Sequence, residues 1–247
     1  MKRLTSSTSH FIALVALALF LSACAMDTVK IGVKQQMSAL VVAPKGAGPF
    51  PGVLVLHTSM GLQAADLAFA KRLADAGYVC LVPYYLATYG IGQADRGTAF
   101  STYHDQILAD LTDGIARLRR MDTVAGQKVG AVGFSNGGYW AAALAASGRA
   151  DAAVSYYGVF SQFGNATRQR LRQAVGQSTS PMLLLHGEND SIQPPEGARF
   201  VANLMKQSGR PYELHLYPAD HNFAWYPGPI EDDAWRRTLE FLSTNLR

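Results

Sequence analysis

The sequence predicts an α/β fold, a mostly parallel central sheet with helices on both faces. Three observations predict it. From Ser38 onward, short apolar runs alternate with longer helical patterns. Several runs, such as Val53-Leu-Val-Leu-His57, are apolar without a break, as strands are when both sheet faces are covered. The composition, 49% hydrophobic and 16% charged over 247 residues, can fill one well-covered core and excludes a disordered chain.

In chain order, Ser38–Ala43 reads as a strand that ends in a Pro/Gly-rich turn from Pro44 to Gly52. Val53–His57 is the next strand, followed by a helix near Gln63–Ala76 that Gly77 closes. Further strands read at Val79–Val82, Val129–Val132, Ala152–Tyr157, Met182–His186 and Glu213–Tyr217. Helices read near Tyr103–Met121, Gly137–Ala146, Pro195–Ser208 and Asp232–Leu246. Residues 25–37 read as a short tether into the first edge strand, so the domain takes residues 38–247. Ligand sites in such sheets gather at the carboxyl ends of the strands.

Ahead of the domain, Lys2 and Arg3 form a positive head, and Phe11–Leu21 is an uninterrupted apolar stretch. A bilayer span takes roughly 20 residues, so residues 1–24 fit a signal peptide better than a membrane helix. Leu21-Ser22-Ala23-Cys24 resembles the lipobox of bacterial lipoproteins, which implies lipidation at Cys24. Ala25 follows where an Asp would suggest inner-membrane retention, so the resemblance implies an exported, periplasmic protein anchored at the outer membrane. Ala23-Cys24-Ala25 also fits an ordinary signal-peptidase site, which would leave a plain secreted protein.

The formal charge of +4 includes Lys2 and Arg3. Their removal leaves 20 basic against 18 acidic residues, and no basic run marks a nucleic-acid footprint. Two cysteines exist; with Cys24 lipidated, Cys80 has no intramolecular partner, and its apolar strand marks a core thiol.

The chemistry concentrates after the strand Lys128–Gly133. Gly133-Phe134-Ser135-Asn136-Gly137 is G-x-S-x-G between a strand and a helix, the setting of a nucleophile elbow. Average composition produces this pattern in about one chain in ten of this length; its position after an apolar strand sharpens it. A Ser hydroxyl needs a base to take its proton and a third group to orient that base. In the α/β-hydrolase fold the chain order is Ser, acid, His. Asp190 follows the strand Met182–His186, and His221 follows the strand Glu213–Tyr217. Ser135, Asp190 and His221 are therefore the expected catalytic residues. Glu188 and Asp220 are rival acids, but Glu188 sits nearer the strand end and Asp220 would have to fold onto its neighbour's ring. His186 reads as a structural hydrogen-bonding residue, and His104 and His215 lie within a helix and a strand. The expected oxyanion donors are the backbone N–H groups of Asn136 and Ser59. His57 and Thr58 are expected at the mouth. No His/Cys ligand spacing or Gly-rich phosphate loop calls for a metal or cofactor.

With these residues assembled, the chain from about residue 38 to 246 resembles the dienelactone hydrolase family. The resemblance rests on Pro44-Lys-Gly-Ala-Gly-Pro-Phe-Pro51, the Leu56–Leu62 loop LHTSMGL, VPYYLA from Val82, the elbow, HGENDSIQP from His186 and YPADHNF from Tyr217. It implies an α/β-hydrolase fold and hydrolysis of an ester or lactone. The departures carry information. Family members with a Cys nucleophile are matched here by Ser135, and a family Glu after the third strand is matched by Thr58. Two arginines that bind the substrate carboxylate are matched by Thr88 and Trp225. A small anionic lactone thereby loses its charge partners, while Tyr84, Tyr85, Phe223, Trp225 and Tyr226 suggest an apolar mouth for neutral esters. Two other readings share the residues: a peptidase or amidase of the same fold, and a surface lipoprotein that binds a ligand without turnover.

Overall fold

The computed structural model describes residues 26–160 and 164–247. The expected leader, with its lipobox-like run and Cys24, lies outside the described residues. Eight strands form one sheet in the order β1-β2-β4-β3-β5-β6-β7-β8. They are β1 (Met26–Ile31), β2 (Met37–Val42), β3 (Phe50–Leu56), β4 (Val79–Pro83), β5 (Val124–Phe134), β6 (Ala152–Tyr156), β7 (Met182–Gly187) and β8 (Tyr212–Tyr217). β2 pairs antiparallel with β1 and β4, and every pairing from β4 through β3 to β8 is parallel.

Because side chains alternate across a strand, each buried strand feeds two cores. Leu54 and Leu56 join the core covered by α4 (His104–Arg119), α5 (Asn136–Ala146), α6 (Gly164–Val175) and α7 (Glu196–Gln207). Val53 and Val55 join the opposite core, covered by α1 (Ala64–Asp75) and α8 (Pro229–Leu246). Two single-turn helices, α2 (Tyr85–Thr88) and α3 (Thr98–Ser101), fill the crossover between β4 and α4. A 3₁₀ turn, Phe223–Trp225, leads from β8 to α8. The Tyr156 hydroxyl fastens α8 to the sheet through the Ala234 carbonyl at 3.1 Å and the Thr238 hydroxyl at 2.7 Å. Cys80 is fully buried in β4, and burial pushes its thiol pKa up.

Two expectations need correction. Residues 25–37 are more than a tether, because Met26–Ile31 is itself the edge strand, paired with β2 from Met26↔Val42 to Ile31↔Met37. The turn after it is held from α4: buried Asp110 accepts the N–H groups of Val33, Lys34 and Gln35 at 2.7, 2.5 and 3.0 Å. The second correction is α6, a helix that the sequence reading does not contain. The carboxyl ends of β3, β5, β7 and β8 share one edge of the sheet, which is where Ser135, Asp190 and His221 stand.

Candidate active site

Ser135 stands between β5 and α5 with φ +52° and ψ −110°, a region that L-residues with a Cβ rarely occupy. Its surroundings fix this conformation. The Ser135 N–H donates to the Tyr156 carbonyl at 2.9 Å, and the Ser135 carbonyl accepts from the N–H groups of Gly138, Tyr139 and Val159 at 3.0, 3.3 and 3.1 Å. The turn also needs two positions without side chains. A Cβ on Gly133 would lie 2.0 Å from the Gly137 carbonyl oxygen, and one on Gly137 would lie 2.2 Å from that of Leu56. The G-x-S-x-G spacing is thus a requirement of backbone contact.

Three strand ends bring Ser135, His221 and Asp190 into one hydrogen-bonded chain. The Ser135 Oγ lies 3.0 Å from His221 Nε2, and His221 Nδ1 lies 2.7 Å from Asp190 Oδ2. Asp190 is buried. Its other oxygen accepts the N–H groups of Ile192 and Gln193 at 3.0 and 2.7 Å, which fixes the carboxylate plane. His186 sits behind this group, with Nε2 2.8 Å from the Gln193 carbonyl. Burial lowers its pKa, so the ring is the neutral donor of that bond. Tyr157 packs against the His221 ring at 4.7 Å between centroids.

The rival acids are occupied elsewhere. Glu188 is exposed and faces Arg199 at 3.8 Å. Asp220 is exposed and bonds Ser191 and the His221 backbone. His104 bonds Asp105 and the Tyr139 hydroxyl, and His215 bonds Glu213. Among the described residues, no group of three or more His, Cys, Asp or Glu side chains is placed to hold a metal ion.

Asn136 opens α5, and its N–H has no hydrogen-bond partner among the described residues. The loop after β3 is drawn against the helix start by the Gly137 N–H, which donates to the His57 carbonyl at 3.2 Å. The Ser59 N–H in that loop is likewise without a partner among the described residues. Tyr85 supports both sides: its hydroxyl lies 2.8 Å from the His57 carbonyl and 2.9 Å from Asn136 Oδ1. Trp140 Nε1 donates to the same Asn136 oxygen at 3.0 Å.

The expected mouth residues separate into two groups. His57 and Tyr85 are buried and stacked at 4.2 Å, so they brace the elbow and do not form the mouth. Burial lowers the His57 pKa to about 4, against a bond from the ring to the Thr58 carbonyl that raises it. Phe223 is buried in an aromatic cluster with Tyr156, Tyr157 and Tyr217, though it also edges the cavity beside His221. Trp225 packs on Phe69 and Phe134 and lines a groove of about 250 Å³ against α1. Thr58 and Tyr84 are half-buried. Thr88 donates its hydroxyl to the Tyr84 carbonyl at 3.0 Å.

Of the exposed apolar side chains at the rim, Tyr226 is an expected mouth residue, while Met60 and Ile192 carry no mark in the sequence. Met60, Ile192 and Tyr226 are 54, 49 and 69% exposed, and they sit on the loops that carry Ser59, Asp190 and His221. Beside them, His221, Phe223, Tyr226, Pro227 and Ile230 line a cavity of about 290 Å³. Arg72, the cation of the neighbouring groove, is paired with Glu231 and lies over the Trp235 ring at 4.0 Å. The reading also misses buried Asp66 and Tyr157, which no motif marks.

A family model described as the dienelactone hydrolase family matches residues 37–246. The carboxymethylenebutenolidase of Pseudomonas sp. (strain P51) is 29% identical over 221 residues, which is 82% of this chain and 87% of the relative. Among solved structures, a dienelactone hydrolase-like promiscuous phosphotriesterase from metagenomic libraries superposes with a TM-score of 0.74 at 20% identity, covering 90% of this chain and 100% of that one. The acylaminoacyl peptidase of Pyrococcus horikoshii reaches 0.74 at 16% identity, covering 92% of this chain but 42% of that one. At those identities the two structures share the fold.

Proposed function

Because the chain belongs to the dienelactone hydrolase family, we propose that it hydrolyses carboxylic esters or lactones through an acyl-Ser135 intermediate. The observation that carries this reading is the relay Asp190–His221–Ser135, with contacts of 2.7 and 3.0 Å. His221 Nε2 takes the Ser135 proton as Oγ attacks the carbonyl carbon. The tetrahedral oxyanion is met by the N–H groups of Asn136 and Ser59, each contributing about 3 kcal/mol to transition-state stabilisation. His221 returns the proton to the leaving oxygen, then takes one from water as that water attacks the acyl-enzyme. Asp190 holds Nδ1–H so that Nε2 is the basic nitrogen.

The exposed apolar rim of Met60, Ile192 and Tyr226 favours uncharged esters over small anionic lactones. A peptidase reading draws on a fold likeness that spans 42% of the peptidase chain, and nothing around Ser135 favours an amide. The test is hydrolysis of p-nitrophenyl esters from acetate to octanoate by residues 25–247, wild type beside Ser135→Ala. Turnover in the wild type alone supports the reading. A folded wild type that neither turns over nor labels with a fluorophosphonate makes this a binding protein.

We also propose that residues 1–24 are an export leader and that Cys24 is lipidated, which would anchor the enzyme at a membrane facing the periplasm. Lys2, Arg3, the Phe11–Leu21 run and the Leu21–Cys24 lipobox support this. Intact-mass analysis of membrane fractions, wild type beside Cys24→Ala, tests it: an acylated N-terminal Cys supports the anchor, and an unmodified soluble product overturns it.

A further inference from the structure

Asp66, in the first turn of α1, is buried at 1% exposure, and the reaction above gives it no role. Its Oδ2 accepts the Gln63 N–H at 2.8 Å, while its Oδ1 has no partner among the described residues. Burial pushes its pKa up to about 6. Its charge acts on the hydroxyls of Tyr85 and Tyr157, the side chains that brace the elbow and flank the His221 ring. A carboxyl that only caps a helix does so equally well in water. Burying one with an oxygen left over costs stability, so its position calls for another reason.

A run of hydrogen bonds supplies that reason. Gln63 Nε2 donates to the Met60 carbonyl at 2.9 Å. The Met60 N–H donates to Thr58 Oγ1 at 3.2 Å, and the Gly61 N–H closes the turn on the Thr58 carbonyl at 3.3 Å. Ser59 lies inside this turn with its N–H unpartnered among the described residues. Asp66 is where the turn is fastened to α1. We propose that Asp66 is a positioning residue for the reaction, holding the Thr58–Gln63 loop through Gln63 so that the Ser59 N–H faces the oxyanion. The proposal rests on the acyl-Ser135 reading but can fail while that reading stands.

The test compares wild type, Ser135→Ala, Asp66→Ala, Asp66→Asn and Gln63→Ala in p-nitrophenyl butyrate hydrolysis, thermal unfolding and inhibition by phenylboronic acid, a mimic of the tetrahedral adduct. Outright loss of one oxyanion donor costs about 10²–10³ in kcat; a displaced donor is expected to cost about tenfold. Asp66→Ala should therefore lower kcat about tenfold with KM within about twofold, and weaken boronic acid binding by the same factor as kcat/KM. Its Tm should hold or rise, since a costly buried group is gone. Asp66→Asn keeps an acceptor for the Gln63 N–H and should recover most of kcat. Gln63→Ala cuts the same run from an exposed position and should lower kcat several-fold without unfolding the protein. Wild-type turnover that Ser135→Ala abolishes and Asp66→Ala and Gln63→Ala leave unchanged overturns this proposal alone. A lower Tm with unchanged kcat in the folded protein assigns Asp66 to the fold and also overturns it. Turnover that survives Ser135→Ala overturns the acyl-serine reading and this proposal with it.

Discussion

The Asp220 carboxylate accepts the backbone N–H of His221 at 2.7 Å, while the His221 ring turns away to Asp190 at the same distance. Two acids adjoin one histidine: Asp190 holds its ring and Asp220 its backbone. Asp220 also accepts the Ser191 N–H at 2.8 Å and its hydroxyl at 2.9 Å, so it clasps the loops after β7 and β8 together.

This division predicts unequal losses. Asp190→Asn should lower kcat by about 10³ or more, because the amide no longer fixes the Nδ1–H tautomer. His221→Ala should remove measurable activity, and Asp220→Ala should cost less than about tenfold. Steady-state kcat values for the three variants check it; the reverse order of Asp190 and Asp220 would mean the acid is misassigned.

The elbow predicts a stability effect. In Gly137→Ala the new methyl would sit 2.2 Å from the Leu56 carbonyl oxygen and 2.7 Å from that of His57. Both neighbours are backbone, so neither can swing aside. Urea unfolding should show a loss of more than about 3 kcal/mol, beyond the usual range for a point substitution.

The Asp66 carboxyl has its pKa raised from 3.8 to about 6 by burial. The folded state thus favours the protonated form. Its contribution is fully present below about pH 4 and is lost as pH rises through about 6. The stability of Asp66→Asn relative to wild type should therefore rise by about 3 kcal/mol between pH 3.5 and pH 7.5. His57 has the opposite sign: its lowered pKa of about 4 gives stability present above pH 6.5 and lost as pH falls through 4. The two windows overlap, so the wild-type profile alone hides both, and denaturant titrations of the variant pair are the check.

The apolar rim predicts selectivity. Tyr226→Ala, at a 69% exposed position, should raise KM for p-nitrophenyl octanoate several-fold, with kcat for the acetate unchanged. Equal effects on both esters would remove Tyr226 from the substrate path.

Most of this architecture is legible in the sequence because buried parallel strands write themselves as unbroken apolar runs. β3, β4 and β7 are each buried along nearly their whole length. β1 is not legible in that way: it is an edge strand whose residues face water except Val29 and Ile31, too short an alternation to stand out. α6 escapes for a related reason. Its described buried residues are Thr167, Leu171 and Val175, a one-residue-wide stripe within the polar run GNATRQRLRQAV. At the site, Ser135, Asp190 and His221 stand out because each follows the carboxyl end of a strand. The surrounding aromatics do not, since a sequence cannot tell a ring facing a mouth from one facing a core. Tyr85 and Phe223 went inward, while Met60 and Ile192 came out. Asp66 is invisible for the same reason, as its burial is a product of the fold and leaves no mark on the local pattern.

The sheet order also has a temporal meaning. Ser135 and His221 meet across 86 residues of chain, and His221 and Asp190 across 31, and the base rides on β8, the outermost strand beyond β7. A growing or half-assembled chain therefore holds its serine without anything to draw off the proton. On the proposed reading, the docking of β8 against β7 both completes the sheet and supplies the base.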